Sequence, residues 1–243
     1  MSSKKIILDI GNTQTKLAVF IDENVAEYYL FSDSELFKNI GNFISDEVII
    51  SSVRNENFTN QVIGHFSQPL LLSSGTPLPI VNSYKTPTTL GNDRLANVVG
   101  AYSSYPNQNT LVIDAGTCLK MDFIDESNHY IGGSISPGLR MRFEALHTLT
   151  DNLPLIEDVE INQLIGNDTT SSIQVGAYKG MLAEISNMIG QYERKFSNLN
   201  IILTGGDLSS FSDVDLSQKN SIFADELLTL KGLNTILNYN VQK

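Results

Sequence analysis

Cysteine is almost missing from this chain, basic residues are few, and no apolar run is long; each shortage narrows what the protein can be. The lone Cys118 cannot form an intramolecular disulfide, so a reducing, cytoplasmic compartment is expected. The 16 lysines and arginines stand against 27 aspartates and glutamates, a net charge of −11. That balance argues against nucleic acid and against anionic membranes, both of which need basic surface. It does not argue against ATP, which arrives with Mg²⁺ and needs only locally placed donors. No stretch approaches the length required to span a bilayer, and the apolar run near Ile6 is too short for a signal peptide. His65, His129 and His147 show no metal-ligand spacing, and Cys118 has no nearby histidine to make it a nucleophile.

What remains is a globular composition, 41% hydrophobic and 18% charged over 243 residues, enough for one large domain or two ordinary ones. The most informative stretch is Lys5–Phe20, KIILDIGNTQTKLAVF. An apolar run ends in Asp9, a polar turn follows (Ile10, Gly11, Asn12, Thr13, Gln14, Thr15), and Lys16 opens a second apolar run. This reads as a β-hairpin. Backbone N–H groups of a Gly-containing turn, with threonine hydroxyls and an ammonium, make a cradle for phosphate oxygens. A carboxylate at its mouth suits Mg²⁺, which favours one or two carboxylates plus substrate phosphates. An ordinary polar hairpin would look the same if it stood alone.

The grammar recurs at Thr110–Ile124, TLVIDAGTCLKMDFI, with Asp114, Gly116, Thr117 and Lys120 in matching order and a turn one residue shorter. Internal repetition of this kind suggests two related halves, each offering a strand-end aspartate. Lys120 is either a phosphate ligand or a solvated strand residue. The turn-rich Tyr105–Asn109 is the expected boundary, giving halves of 1–108 and 109–243.

Between and after the hairpins the chain alternates strand and helix, an α/β plan. Strands are expected at Asn24–Phe31, Glu47–Val53, Leu70–Leu72, His129–Ile135 and Asn200–Asp207. Helices are expected at Ser32–Ser45, Phe58–Phe66, from Gly91-Asn92 onward, Leu139–Leu149, from Asp168 or Thr169 to Phe196, after Asp207, and at Phe223–Leu237. Asp93 falls in the first turn of the third of these. There it either satisfies the macrodipole or serves as a base at the mouth of a cleft, with Arg94 beside it for an anionic substrate. The glycines of Gly132–Gly138 allow close approach of backbone to a ligand or to another helix, and the pair Gly205-Gly206 lets a flat nucleoside lie across the backbone or makes a tight turn into the helix after Asp207. Glu157–Glu160 reads as a solvated acidic surface.

Taken together, DIGNTQTK (Asp9–Lys16), GNDR (Gly91–Arg94), DAGT (Asp114–Thr117), GGSISPGL (Gly132–Leu139) and GNDT (Gly166–Thr169), followed by Ile173 and Gly176, resemble the type III pantothenate kinases. These belong to the acetate and sugar kinase/Hsp70/actin superfamily. The resemblance implies two ribonuclease-H-like (actin-like ATPase) halves, each a mixed five-stranded sheet with flanking helices, ATP in the cleft, and a homodimer. It implies ATP-dependent phosphorylation of pantothenate, the first step of coenzyme A synthesis. By that resemblance Asp9–Lys16 would hold ATP phosphates and Mg²⁺, and Thr117 the nucleotide. Asp114 would hold a monovalent cation such as K⁺ or NH4⁺. Asp93 would accept the hydroxyl proton, while Tyr84, Gly91, Asn92, Asp93, Arg94 and Thr169 would line the pantothenate pocket. Two departures stand out: Asn92 where a small residue is common, and Cys118-Leu119-Lys120 where small and hydroxyl residues are frequent. The rival readings are a kinase of a sugar or another small hydroxy acid, and a non-enzymatic actin-like ATP-binding regulator.

Overall fold

A computed structural model of the chain describes residues 3–159, 163–207 and 222–241. The first hairpin forms where apolar alternation demands it. Strand β1 (Lys4–Ile10) pairs antiparallel with β2 (Thr15–Ile21), and β2 pairs antiparallel with β3 (Asn24–Phe31). Ser32 and Glu35 close a capping box on α1 (Asp33–Asn39). That helix is shorter than expected because a 3₁₀ turn at Ile40–Asn42, with Gly41 at its centre, takes over. Strand β4 (Glu47–Ser52) runs parallel to β1. Helix α2 (Glu56–Ile63) starts early because Asn55 caps it, accepting the Phe58 N–H at 3.0 Å. Short β5 (Leu70–Leu71) follows β4 in the sheet, and the loop-like stretch after it holds an unexpected two-residue strand, β6 (Val81–Asn82). Helix α3 (Asn92–Ser104) then begins where GNDR places it.

The second half repeats the plan with β7 (Thr110–Ala115), β8 (Cys118–Ile124) and β9 (His129–Pro137), so most of the glycine-rich 132–138 stretch is strand. Helix α4 (Leu139–Thr148) follows. The long helix expected after Asp168 is three pieces: α5 (Thr169–Gln174), a π turn at Val175–Lys179, and α6 (Gly180–Lys195). Strand β10 (Asn200–Thr204) comes next, and a helix after Asp207, like Glu160 of the acidic run, lies outside the described residues. The closing helix does not start at Phe223. Ile222–Ala224 is β11, paired parallel with β10, and α7 (Leu228–Val241) begins beyond Asp225-Glu226. Branched and aromatic residues at 222–223 favour the strand. Among the described residues no helix is long and apolar enough to cross a membrane.

The strand orders reveal the duplication. The first sheet runs β3-β2-β1-β4-β5, and the second runs β9-β8-β7-β10-β11, the same order, with β6 added beside β9. Each central strand pairs parallel with the fourth strand of its half, Asp9 opposite Ser51 and Asp114 opposite Thr204. The chain comprises two compact units. One contains residues 1–107, 124–131 and 227–243; the other contains 108–123 and 132–226. The expectation from sequence assigns 109–243 to a single half, whereas α7 here belongs with the first unit.

In the first unit Ile6, Leu8, Ile10, Leu17, Val19 and Ile50 face a core shared with α1 and α2. The opposite sheet face is covered by α7, which packs on β1, β2 and β4, and by α3, which packs on α7. Glycine makes that helix pair close: a Cβ on Gly100 would sit 2.5 Å from the Leu228 carbonyl oxygen, and one on Gly232 would overlap the Ala96 carbonyl. A buried bond from Thr229 Oγ1 to Asn97 Oδ1 (2.6 Å) fixes the register. In the second unit Leu111, Ile113, Leu119, Met121, Ile201 and Leu203 form one core with α4, α5 and α6. Gly232→Val should force α3 and α7 apart and cost about 1–3 kcal/mol of stability, read as a lower denaturation midpoint in urea.

Candidate active site

Alternation along each strand decides where the polar side chains go. In the first unit the odd positions of β1 look away from the α1–α2 core, so Asp9, its antiparallel partner Lys16 and its parallel partner Ser51 share the face covered by α3 and α7. The turn between the strands is closed by the Gly11 N–H donating to the Gln14 carbonyl at 3.0 Å. Asn12, Thr13 and Gln14 are exposed at its tip. Thr15 Oγ1 and Ser51 Oγ are buried without a hydrogen-bond partner among the described residues.

Sequence reading missed a residue here. Arg54, just past β4, donates to the Asn12 carbonyl (3.3 Å) and forks onto Asp33 at 3.1 and 2.9 Å. Its guanidinium lies 4.3 Å from the centre of the Phe58 ring. It ties the tip of the turn to α1 and α2. The signal was available: an arginine leaving the strand that flanks β1 stands level with the turn that β1 enters.

The second group in this unit is built on α3. Asp93 Oδ1 accepts the Arg94 N–H at 2.9 Å, and a Cβ on Gly91 would sit 2.5 Å from that oxygen, so a side chain there would make the carboxylate shift. Arg94, 4% exposed, places its guanidinium 5.5 Å from the Tyr84 ring centre. Tyr84 in turn stacks on the fully buried Tyr130, with rings 5.9 Å apart and 7° from parallel. Asn92 Nδ2 donates to the Leu72 carbonyl at 3.0 Å. Tyr84, Asp93 and Arg94 are thus brought together, with Tyr130 as a supporting ring that sequence reading did not single out.

In the second unit Asp114, Lys120 and Thr204 share the face turned away from its core, the counterpart of Asp9, Lys16 and Ser51. Lys120 Nζ lies 2.8 Å from Asp114 Oδ2 in a largely buried ion pair. Thr204 Oγ1 is buried without a partner among the described residues. Thr117 is exposed at the tip, and its carbonyl accepts the Gly138 N–H at 3.2 Å. A Cβ on Gly138 would meet the Thr117 carbonyl oxygen at 2.5 Å, and Gly205, at φ +104°, lies as close to Ala115. Both glycine motifs therefore pack backbone against the DAGT turn. The Asp207 N–H donates to the Ala115 carbonyl (2.9 Å), and burial first, then the charge of Asp114, pushes its carboxyl up.

Thr169 lines a cavity of about 1050 Å³ in this unit, with Asn167, Asp168, Ile173, Leu146 and Arg142. Asp168 caps α5, accepting the Ser171 N–H at 2.8 Å. Arg142 pairs with Glu184, which also accepts from Ser136 Oγ at 2.6 Å.

A family profile described as Type III pantothenate kinase matches residues 5–191. The Type III pantothenate kinase of Bacteroides fragilis is 43% identical, covering 97% of this chain and 98% of its own length. That of Christiangramia forsetii is 41% identical over the same shares. The chain belongs to the type III pantothenate kinase family. Solved structures agree on the fold. The activator of the 2-hydroxyisocaproyl-CoA dehydratase from Clostridium difficile, with bound ADPNP, aligns over 98% of this chain and 96% of that one, at 13% identity and a TM-score of 0.57. A ROK family glucokinase from Streptomyces griseus, in complex with glucose and AMPPNP, aligns over 99% and 100%, at 13% identity and a TM-score of 0.55. The chain has the two ribonuclease-H-like halves of the actin-like ATPase and sugar kinase fold that this kinase family shares.

The Ser136–Glu184–Arg142 network gives a pH signature. Partial burial pushes the Glu184 carboxyl up, but hydrogen bonds from Ser136 and Arg142, with the arginine charge, outweigh it and hold it below its ordinary 4.5. A depressed carboxyl adds stability above its unfolded value and loses it as pH falls through the folded one. The thermal midpoint of the parent should therefore exceed that of Glu184→Gln near neutral pH, and the gap should close below pH 4.5.

Proposed function

We propose that this chain transfers the γ-phosphoryl group of ATP to the primary hydroxyl of pantothenate, giving 4'-phosphopantothenate, the first step of coenzyme A synthesis. The observation that carries the proposal is the Tyr84–Asp93–Arg94 group. It sets a buried guanidinium, suited to a substrate carboxylate, beside a carboxylate that can receive a hydroxyl proton.

Phosphoryl transfer asks a protein mainly for positioning and charge neutralisation. On this reading the turn Ile10–Thr15 presents backbone and hydroxyl donors to the ATP phosphates, Lys16 contributes charge, and Thr117 meets the nucleotide. Asp9 would hold Mg²⁺, with the Ser51 hydroxyl, which no described residue satisfies, as a further oxygen beside it and Lys16 opposite. When bound, the ion neutralises charge on the phosphate oxygens. Asp93 takes the hydroxyl proton as the acceptor oxygen meets the γ-phosphorus. Gly91 keeps the space that the Asp93 carboxylate needs, Asn92 anchors the start of α3, and Thr169 contributes to the substrate side. The residues fit less well to the monovalent cation expected at Asp114, because Lys120 is already there.

We also propose a homodimer, supported by large apolar side chains exposed on the second unit, Leu149 at 82%, Leu164 at 76% and Ile165 at 78%. Sedimentation velocity reporting one 26.8 kDa species would remove it.

General-base help is worth about 10²–10⁴-fold, so Asp93→Asn should cut turnover by that order while ATP binding, measured by calorimetry, persists. ADP release should follow pantothenate and not a panel of sugars. Release that is equal with glucose would favour the sugar kinase reading, and release that needs no acceptor would favour an ATPase regulator.

A further inference from the structure

The Asp114–Lys120 pair disagrees with a site built for a free monovalent cation. The carboxylate that would coordinate the ion is bonded to the Lys120 ammonium at 2.8 Å, with side-chain exposures of 12% for Asp114 and 15% for Lys120. We propose that Lys120 is this chain's own tethered monovalent cation, holding on Asp114 the place of K⁺ or NH4⁺ and making phosphoryl transfer independent of either. The proposal rests on the kinase reading above.

Three features support it. Lys120 is on the sheet face that Asp114 occupies, because β8 alternates and Leu119 and Met121 go to the core. Its reach is set by the turn after Asp114, closed by the Gly116 N–H on the Cys118 carbonyl at 3.2 Å. An ammonium group and a potassium ion are alike in charge and nearly alike in radius, so the same carboxylate can hold either. The lysine has the advantage of attachment: its effective concentration is fixed by the strand, whereas a free ion must displace it and then sit beside its positive charge. Removing Lys120 alone would leave a buried carboxylate without its counter-ion, which is a strong drive to recruit one from solution.

The test uses the full chain and two readouts, each in KCl, NH4Cl and choline chloride at equal ionic strength. The first is ADP release with pantothenate and Mg²⁺–ATP. The second is the thermal midpoint without substrates. The parent should turn over equally in all three salts and show one midpoint. Lys120→Met should lose about a hundredfold of activity in choline, the usual size for removing one charge-stabilising donor. It should regain activity in KCl or NH4Cl, with a midpoint that rises with either salt as binding linkage requires. A parent activated by K⁺ overturns the proposal, as does Lys120→Met with parental activity in choline. Should that variant fail to fold, the parent's response decides alone. A parent inert towards pantothenate in every salt would sink the kinase reading instead. The midpoints would then decide the Lys120 assignment, since a parent stabilised specifically by K⁺ has room for a cation that the tethered ammonium does not fill.

Discussion

A strand must alternate its side chains, and an aspartate at the end of a central strand therefore faces away from whichever core its neighbours fill. That constraint acts twice here. Ile6, Leu8 and Ile10 commit β1 to one core and turn Asp9 to the other side; Leu111, Ile113 and Ala115 do the same for Asp114. The parallel neighbour of each strand then has to put a residue beside the carboxylate, and both halves put a hydroxyl there, Ser51 or Thr204. Burying a hydroxyl without a partner is costly, and both halves do so opposite an acid.

The halves share this frame and differ in their turns. The longer first turn exposes Asn12, Thr13 and Gln14 and is braced from below by Arg54, which leaves a rim of donors open. The shorter second turn carries the Lys120–Asp114 pair and is walled by Gly138 and Gly205. The first turn is exposed at its tip, and the second carries a largely buried ion pair.

Most of the architecture was legible because it is written in alternation and caps. The hairpins, the β4 strand, the start of α3 and the capping of α1 and α5 all follow from residues within a few positions of one another. The same is true of Asp93, whose place in a first helical turn is set by Gly91 and Asn92. What escaped depends on distant partners. β11 is a strand only because β10 lies beside it, and β6 only because β9 does. Tyr130 gains its role from stacking under Tyr84, and Arg54 from the carbonyl of Asn12. The π turn at Val175–Lys179 has no local signal either, since its sequence reads as unbroken helix.

The placement of α7 has a consequence for how this chain acquires its shape. The helix that covers β1, β2 and β4 is drawn from residues 228–241, although the strands it covers were laid down within the first 52. During vectorial synthesis the nascent first sheet must wait, one apolar face uncovered, until more than two hundred residues have left the ribosome. A fragment ending before α7 would expose Ile7, Ala18, Phe20 and Ile49 to water, so cutting at the midpoint would not release a self-sufficient amino-terminal piece.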